Sequence, residues 1–91
     1  MKVLLHHTAE KYLDRQTATD KSRIRAALKD LEKEPPEGDI RPYAGNPGMW
    51  RVKVSSFRAL YTIEDNHILV THIEPRGQAY TKKTRNKRGN K

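Results

Sequence analysis

Residues Met49 to Tyr61 alternate between apolar and polar side chains, and that alternation constrains the chain more than any other feature. Successive side chains of a strand leave opposite faces, so Trp50, Val52 and Val54 point one way while Arg51, Lys53 and Ser55 point the other. Phe57, Ala59, Tyr61 and Ile63 repeat the period beyond Ser55-Ser56, which predicts a β-hairpin. A two-residue turn at Ser55-Ser56 pairs Val54 with Phe57 and sets Lys53 directly across from Arg58. Ser-Ser lacks the glycine or asparagine that tight hairpins favour, so a longer loop with a shifted register is the alternative. Like charges opposite one another in a sheet are destabilising, and no carboxylate lies between Met49 and Ile63. Two readings fit. The face carrying Arg51, Lys53 and Arg58 is built to meet an anion, or it is the solvated side of a half-buried sheet whose charges deter edge-to-edge pairing.

Ninety-one residues make one small domain. Hydrophobic residues are 34% and charged residues 33%, which predicts a thin core under a heavily charged surface. The absence of cysteine excludes disulfides and thiolate metal ligands. No apolar run approaches the roughly 18 residues of a membrane-spanning helix, and Met1 to Leu5 is too short for a signal peptide. The expectation is a soluble, cytoplasmic protein with no membrane partner. The formal charge of +8 is uneven: residues 82–91 hold six cations and no acid, leaving +2 for the first 81. The expected division is therefore a domain over residues 1–81 and a basic tail over 82–91. The tail reads either as an arm that engages phosphates or as a solubilising end.

Lys2 to His6 reads as a short strand. Thr8 is placed to cap a helix whose apolar positions are Ala9, Tyr12 and Leu13. Thr17 with Asp20 resembles a capping box for a second helix, on which Ile24, Ala27, Leu28 and Leu31 fall at i, i+3, i+4 and i+7. Pro35 and Pro36 end it, and residues 37–48 read as a loop without regular structure. After the hairpin, Asp65-Asn66 marks a tight turn into a third apolar strand, His67 to Ile73, which Pro75 stops. The order β-α-α-β-β-β predicts an α+β domain, an antiparallel sheet with both helices packed on one face. Trp50, Val52, Tyr61 and Leu69 are the expected sheet contacts for the helix bearing Ile24, Leu28 and Leu31.

Four histidines raise the question of a metal. His6 and His7 adjoin on the expected strand, and His67 and His72 differ by an odd number, so each pair should face opposite ways. A zinc site needs three or four convergent ligands; neither a metal nor any other cofactor is expected. Gly45 and Gly48 precede a strand rather than a helix, the wrong setting for a phosphate loop. What remains is Arg51, Lys53, Arg58 and Arg76, cations able to hold phosphate, and Tyr80, a ring on which a base can stack.

The segments Tyr-Ala-Gly-Asn-Pro-Gly-Met-Trp-Arg-Val-Lys-Val (43–54), Phe-Arg-Ala-Leu-Tyr (57–61) and Ile-Glu-Pro-Arg-Gly-Gln-Ala-Tyr (73–80) together resemble the RelE/ParE toxin superfamily. The likeness covers nearly the whole chain. It implies a toxin of a type II toxin–antitoxin system, held by a cognate antitoxin. RelE-like members cut messenger RNA in the ribosomal A site, through attack of a ribose 2′-OH on its own 3′-phosphate; ParE-like members poison DNA gyrase instead. The working residues of the RelE-like group match Arg51, Lys53, Arg58, Arg76 and Tyr80.

On that resemblance, Lys53 is the better base candidate and Arg58 the phosphate clamp. Arg76 stabilises or protonates the leaving group, and Tyr80 stacks on a base or relays a proton. Arg51 stands where the best-known member has lysine; because arginine does not give up its proton, it is assigned to holding RNA, together with Lys82, Lys83 and Arg85. Lysine, tyrosine and arginine are ill matched to acid–base work at neutral pH. Such an enzyme is expected to depend on the ribosome to align the message. The alternatives are a gyrase-directed toxin, which needs no catalytic cations, and an RNA-binding module that does not cleave.

Overall fold

The first strand is β1 (Lys2–Leu5), and helix α1 (His7–Asp14) follows it without a loop. The computed structural model describes residues 1–75. Arg76, Tyr80, Lys82, Lys83, Arg85 and the expected boundary at 81/82 lie outside the described residues. The cap of α1 is His6, whose Nδ1 accepts a hydrogen bond from the Thr8 backbone N–H at 3.2 Å. Thr8, the expected cap, lies inside the helix. Helix α2 (Ala18–Asp30) starts where its capping pattern placed it, with Thr17 Oγ1 accepting from the Asp20 N–H at 3.1 Å.

A short strand, β2 (Asp39–Pro42), interrupts the stretch expected to be irregular. Ile40 pairs with Val52 and Pro42 with Trp50, on the outer edge of the sheet. Proline is tolerated there because an edge strand is paired on one side only. Four residues, two of them charged, show no usable periodicity, so the partner strand decides this element. The hairpin of β3 (Met49–Val54) and β4 (Phe57–Glu64) has the tight register: Val54 pairs with Phe57, Lys53 with Arg58 and Trp50 with Tyr61. Ser55 takes φ 55, the left-handed conformation that turns usually give to glycine or asparagine.

Strand β5 (His67–Pro75) pairs antiparallel with β4 and parallel with β1, so the sheet is mixed, in the order β1-β5-β4-β3-β2. A bulge interrupts β5: Tyr61 pairs with Val70 but Leu60 with His72, leaving Thr71 as the extra residue. The Thr71 hydroxyl donates to the Leu60 carbonyl at 3.4 Å. The bulge changes the phase of the strand. Ile68 and Val70 face the helices before it and Ile73 after it, whereas Leu69, the expected contact, is half-buried outside the main core. His67 and His72 consequently share a face, contrary to strict alternation. His6 and His7 sit at the helix start with ring centroids 4.4 Å apart, not on two sides of a strand.

Both helices pack on one face. Ala9 and Leu13 of α1, Ile24 and Leu28 of α2 and Leu31 just beyond it meet Val52, Val54, Ala59, Tyr61, Ile68, Val70 and Ile73 in one core, with Trp50 and Phe57 partly buried against it. Burying an aliphatic side chain fully contributes about 1.5–3 kcal/mol. With Val52 and Val54 in this core, Arg51 and Lys53 are left on the opposite face, as the alternation requires.

Candidate functional site

The sheet face away from the helices carries the charge. Strand pairing aligns Asp39, Lys53, Arg58 and Glu74 in one row across β2, β3, β4 and β5. The next row is Arg41, Arg51, Leu60 and His72. Four arginine and lysine side chains thus meet two carboxylates.

These cations are not equivalent. Arg58 is half-buried, and its Nε donates to Glu74 Oε2 at 2.5 Å. Its guanidinium carbon lies 5.8 Å from the centre of the Tyr43 ring, within cation–π range. Lys53 is exposed and, among the described residues, has no ion-pair partner. Arg51 is half-buried, and its Nη1 is buried without a hydrogen-bond partner among the described residues. A buried N–H donor left unpaired is destabilising, so an arriving acceptor oxygen would find it already desolvated. Arg41 lies 3.7 Å from Asp39 in an exposed pair of small energetic weight.

Leu60 is buried although it lies on this outer face and outside the main core. It gives the cationic rows an apolar floor, which lowers the local dielectric and strengthens any charge contact made above it. Tyr12 of α1 is partly buried against the core on the helix side of the sheet. Its ring meets Phe57 edge-on at 6.2 Å between centroids. Burial, then the charge of Glu74, then that of Asp20, push its phenol above the ordinary value of 10.0, so Tyr12 keeps its proton.

Three of the sequence-derived site residues, Arg51, Lys53 and Arg58, therefore share one face, and two of them adjoin. Sequence reading missed Glu74 and Tyr43. Glu74 lies sixteen residues from Arg58 and meets it only through the β4–β5 register. Tyr43 sits in what read as a featureless loop. No group of three or more His, Asp or Glu side chains able to hold a metal occurs among the described residues.

A family model for the ParE toxin of type II toxin–antitoxin systems matches residues 2–80. The chain belongs to this toxin family. No curated protein sequence matches it. Solved structures resemble the toxin over most of its length. The archaeal RelE–RelB complex from Pyrococcus horikoshii OT3 aligns with a TM-score of 0.67 at 24% identity, covering 85% of this chain and 96% of that one. The isolated Escherichia coli RelE toxin gives 0.68 at 17%, covering 88% and 90%. A YoeB/ParE toxin from Agrobacterium tumefaciens gives 0.68 at 15%, covering 82% and 98%. At these identities the likeness speaks for the fold alone. The toxin is thus a RelE/ParE superfamily member with an α+β fold, and no helix among its described residues is long and apolar enough to cross a membrane.

Proposed function

We propose that this toxin is a ribosome-dependent endoribonuclease that cuts messenger RNA in the A site, by attack of a ribose 2′-OH on the adjacent 3′-phosphate. One observation carries the reading: Lys53 and Arg58 stand directly opposite each other on the open face, with Arg51 in the next row. Placing like charges opposite one another is unfavourable unless an anion meets them. Glu74 already meets Nε of Arg58; a phosphate between Lys53 and the terminal N–H groups of Arg58 relieves the rest, and the arginine fork suits its geometry. Arg51 holds the RNA backbone. Arg76 and Tyr80 serve the leaving group and the stacked base, while Lys82, Lys83 and Arg85 add phosphate contacts from a tail distinct from the 1–81 domain.

An antitoxin completes the system. RelE is found with RelB in the Pyrococcus complex and in the intact Escherichia coli complex. For this toxin the partner is an acidic segment that orders as it covers the cationic face. The test is to sequence the 5′ ends of ribosome-bound messages after brief expression. New ends clustered within A-site codons support the reading; intact messages overturn it.

The matched family is described as ParE toxin, and since ParE-like members are expected to poison gyrase, the second reading is a gyrase-directed toxin. Purified toxin that stops gyrase supercoiling while leaving ribosome-bound RNA whole would establish it.

A further inference from the structure

Cleavage needs a proton acceptor for the 2′-hydroxyl and a donor for the departing 5′-oxygen. Residue type alone offers lysine as base, yet a lysine accepts a proton only after losing its own. The row across the sheet contains a group better suited. Resting on the ribonuclease reading, we propose that Glu74, Arg58 and Lys53 act as base, phosphate clamp and acid, in that order across three adjacent strands.

The argument is geometric. In phosphoryl transfer the attacking and leaving oxygens lie roughly in line through phosphorus. The base and the acid must therefore approach from opposite sides, with the charge-stabilising group between them. Glu74 on β5, Arg58 on β4 and Lys53 on β3 occupy one row on one face, with Arg58 in the middle. Neighbouring strands are about 4.8 Å apart, so the outer two backbones flank the clamp at about 10 Å. That span accommodates a phosphate and a hydrogen bond on either side of it.

The contacts agree with the assignment. Glu74 accepts from Nε of Arg58, and the Tyr43 ring lies beside the guanidinium. The terminal N–H groups of the fork make no hydrogen bond among the described residues and remain for phosphate oxygens. Glu74 is the carboxylate that touches the clamp; Asp39 lies at the far end of the row, beside Arg41. By chemical type a carboxylate accepts a proton and an ammonium, which only donates, gives one.

The step balances. The O2′–H bond breaks and its proton goes to Glu74. The O2′ electron pair forms the new bond to phosphorus, giving the cyclic phosphate. The P–O5′ bond breaks with its electron pair on O5′, and Lys53 protonates that oxygen. Solvent water then returns Glu74 and Lys53 to their starting states.

Single-turnover cleavage on programmed ribosomes at saturating toxin tests the assignment, with two messages. One is ordinary RNA; in the other, sulfur replaces the bridging 5′-oxygen, a leaving group that departs without a proton. Glu74→Gln is expected to slow both about 10²-fold or more while binding the ribosome as tightly as the wild type or more tightly. The wild-type rate is expected to fall on acidification, and the Glu74→Gln rate to lose that limb. Among the described residues, the charged or titratable groups near Glu74 are Arg58 on β4, Lys53 further along the row on β3 and His72 on its own strand, and the Glu74 charge also reaches Tyr12 on α1; Gln leaves them in place. Lys53→Ala is expected to slow the ordinary message far more than the sulfur message. Glu74→Gln at full rate, or with its acid limb intact, overturns the base; an equal Lys53→Ala loss on both messages overturns the acid. If the wild type leaves both messages whole, the ribonuclease reading itself fails.

Discussion

The two faces of this sheet are made by the same strands and obey opposite rules. On the helix side, Val52, Ala59, Ile73 and their neighbours form one buried apolar core. On the open side, Lys53 faces Arg58, and Arg51 faces Arg41 across the β2–β3 pair. The first arrangement lowers the energy of the free protein. The second sets like charges opposite one another, which is unfavourable by itself, and the Arg58–Glu74 and Arg41–Asp39 pairs offset part of it. A substitution should therefore be read first by the face it falls on.

The largest effect is expected inside. Ile68 is fully buried in the core, and Ile68→Ala should destabilise the toxin by about 2–5 kcal/mol, seen as a lower denaturant midpoint with unchanged slope. A loss well under 1 kcal/mol would mean that the inner face is less tightly packed than its burial indicates.

Arg58→Ala comes next and should separate the faces. Removing a preorganised donor from the reacting phosphate should slow cleavage about 10²–10³-fold at saturating toxin. The fold should survive, because the ion pair lost is half-exposed. If Arg58→Ala lowers stability as much as Ile68→Ala while cleaving normally, the outer row is structural.

Arg51→Ala should weaken ribosome association a few-fold and reduce the slope of log affinity against log salt by about 1, the signature of one phosphate contact. Its chemical step at saturation should change less than that of Arg58→Ala. Equal losses of chemistry in both variants would erase the division of roles.

A smaller effect returns to the inner face. Burial holds the Tyr61 phenol above the ordinary value of 10.0. An acid whose folded-state pKa is raised loses its proton first in the unfolded chain, so stability falls as pH rises from 10 toward the folded-state value. Tyr61→Phe should flatten that alkaline loss and leave stability near pH 7 little changed. An unaltered alkaline profile would place the titration elsewhere.

Much of what depends on near neighbours in the chain was legible in the sequence, although the cap of α1, read as Thr8, is His6. Thr17 caps α2 because the N–H it accepts from is three residues away. Ile24, Leu28 and Leu31 face the core because helical spacing puts them on one side. Val54 meets Phe57 because two residues suffice to turn, and Lys53 opposite Arg58 follows at once. The match of sequence reading to structure is closest in these elements.

Tertiary structure decided what depends on distant partners. Strand β2 exists because β3 offers Ile40 and Pro42 an edge to pair with. β1 runs parallel to β5 because helices α1 and α2 carry the chain across before the other strands form their meander. The Thr71 bulge, which moves Leu69 out of the core and brings His67 and His72 to one face, has no local signal, since either phase of His67 to Ile73 is apolar enough to be buried. The site divides in the same way. Which face carries Arg51, Lys53 and Arg58 follows from a period of two. That Glu74 grips Arg58, and that Tyr43 lies beside it, follows only from strand register, because charges far apart in sequence find one another through the backbone hydrogen bonds of a sheet.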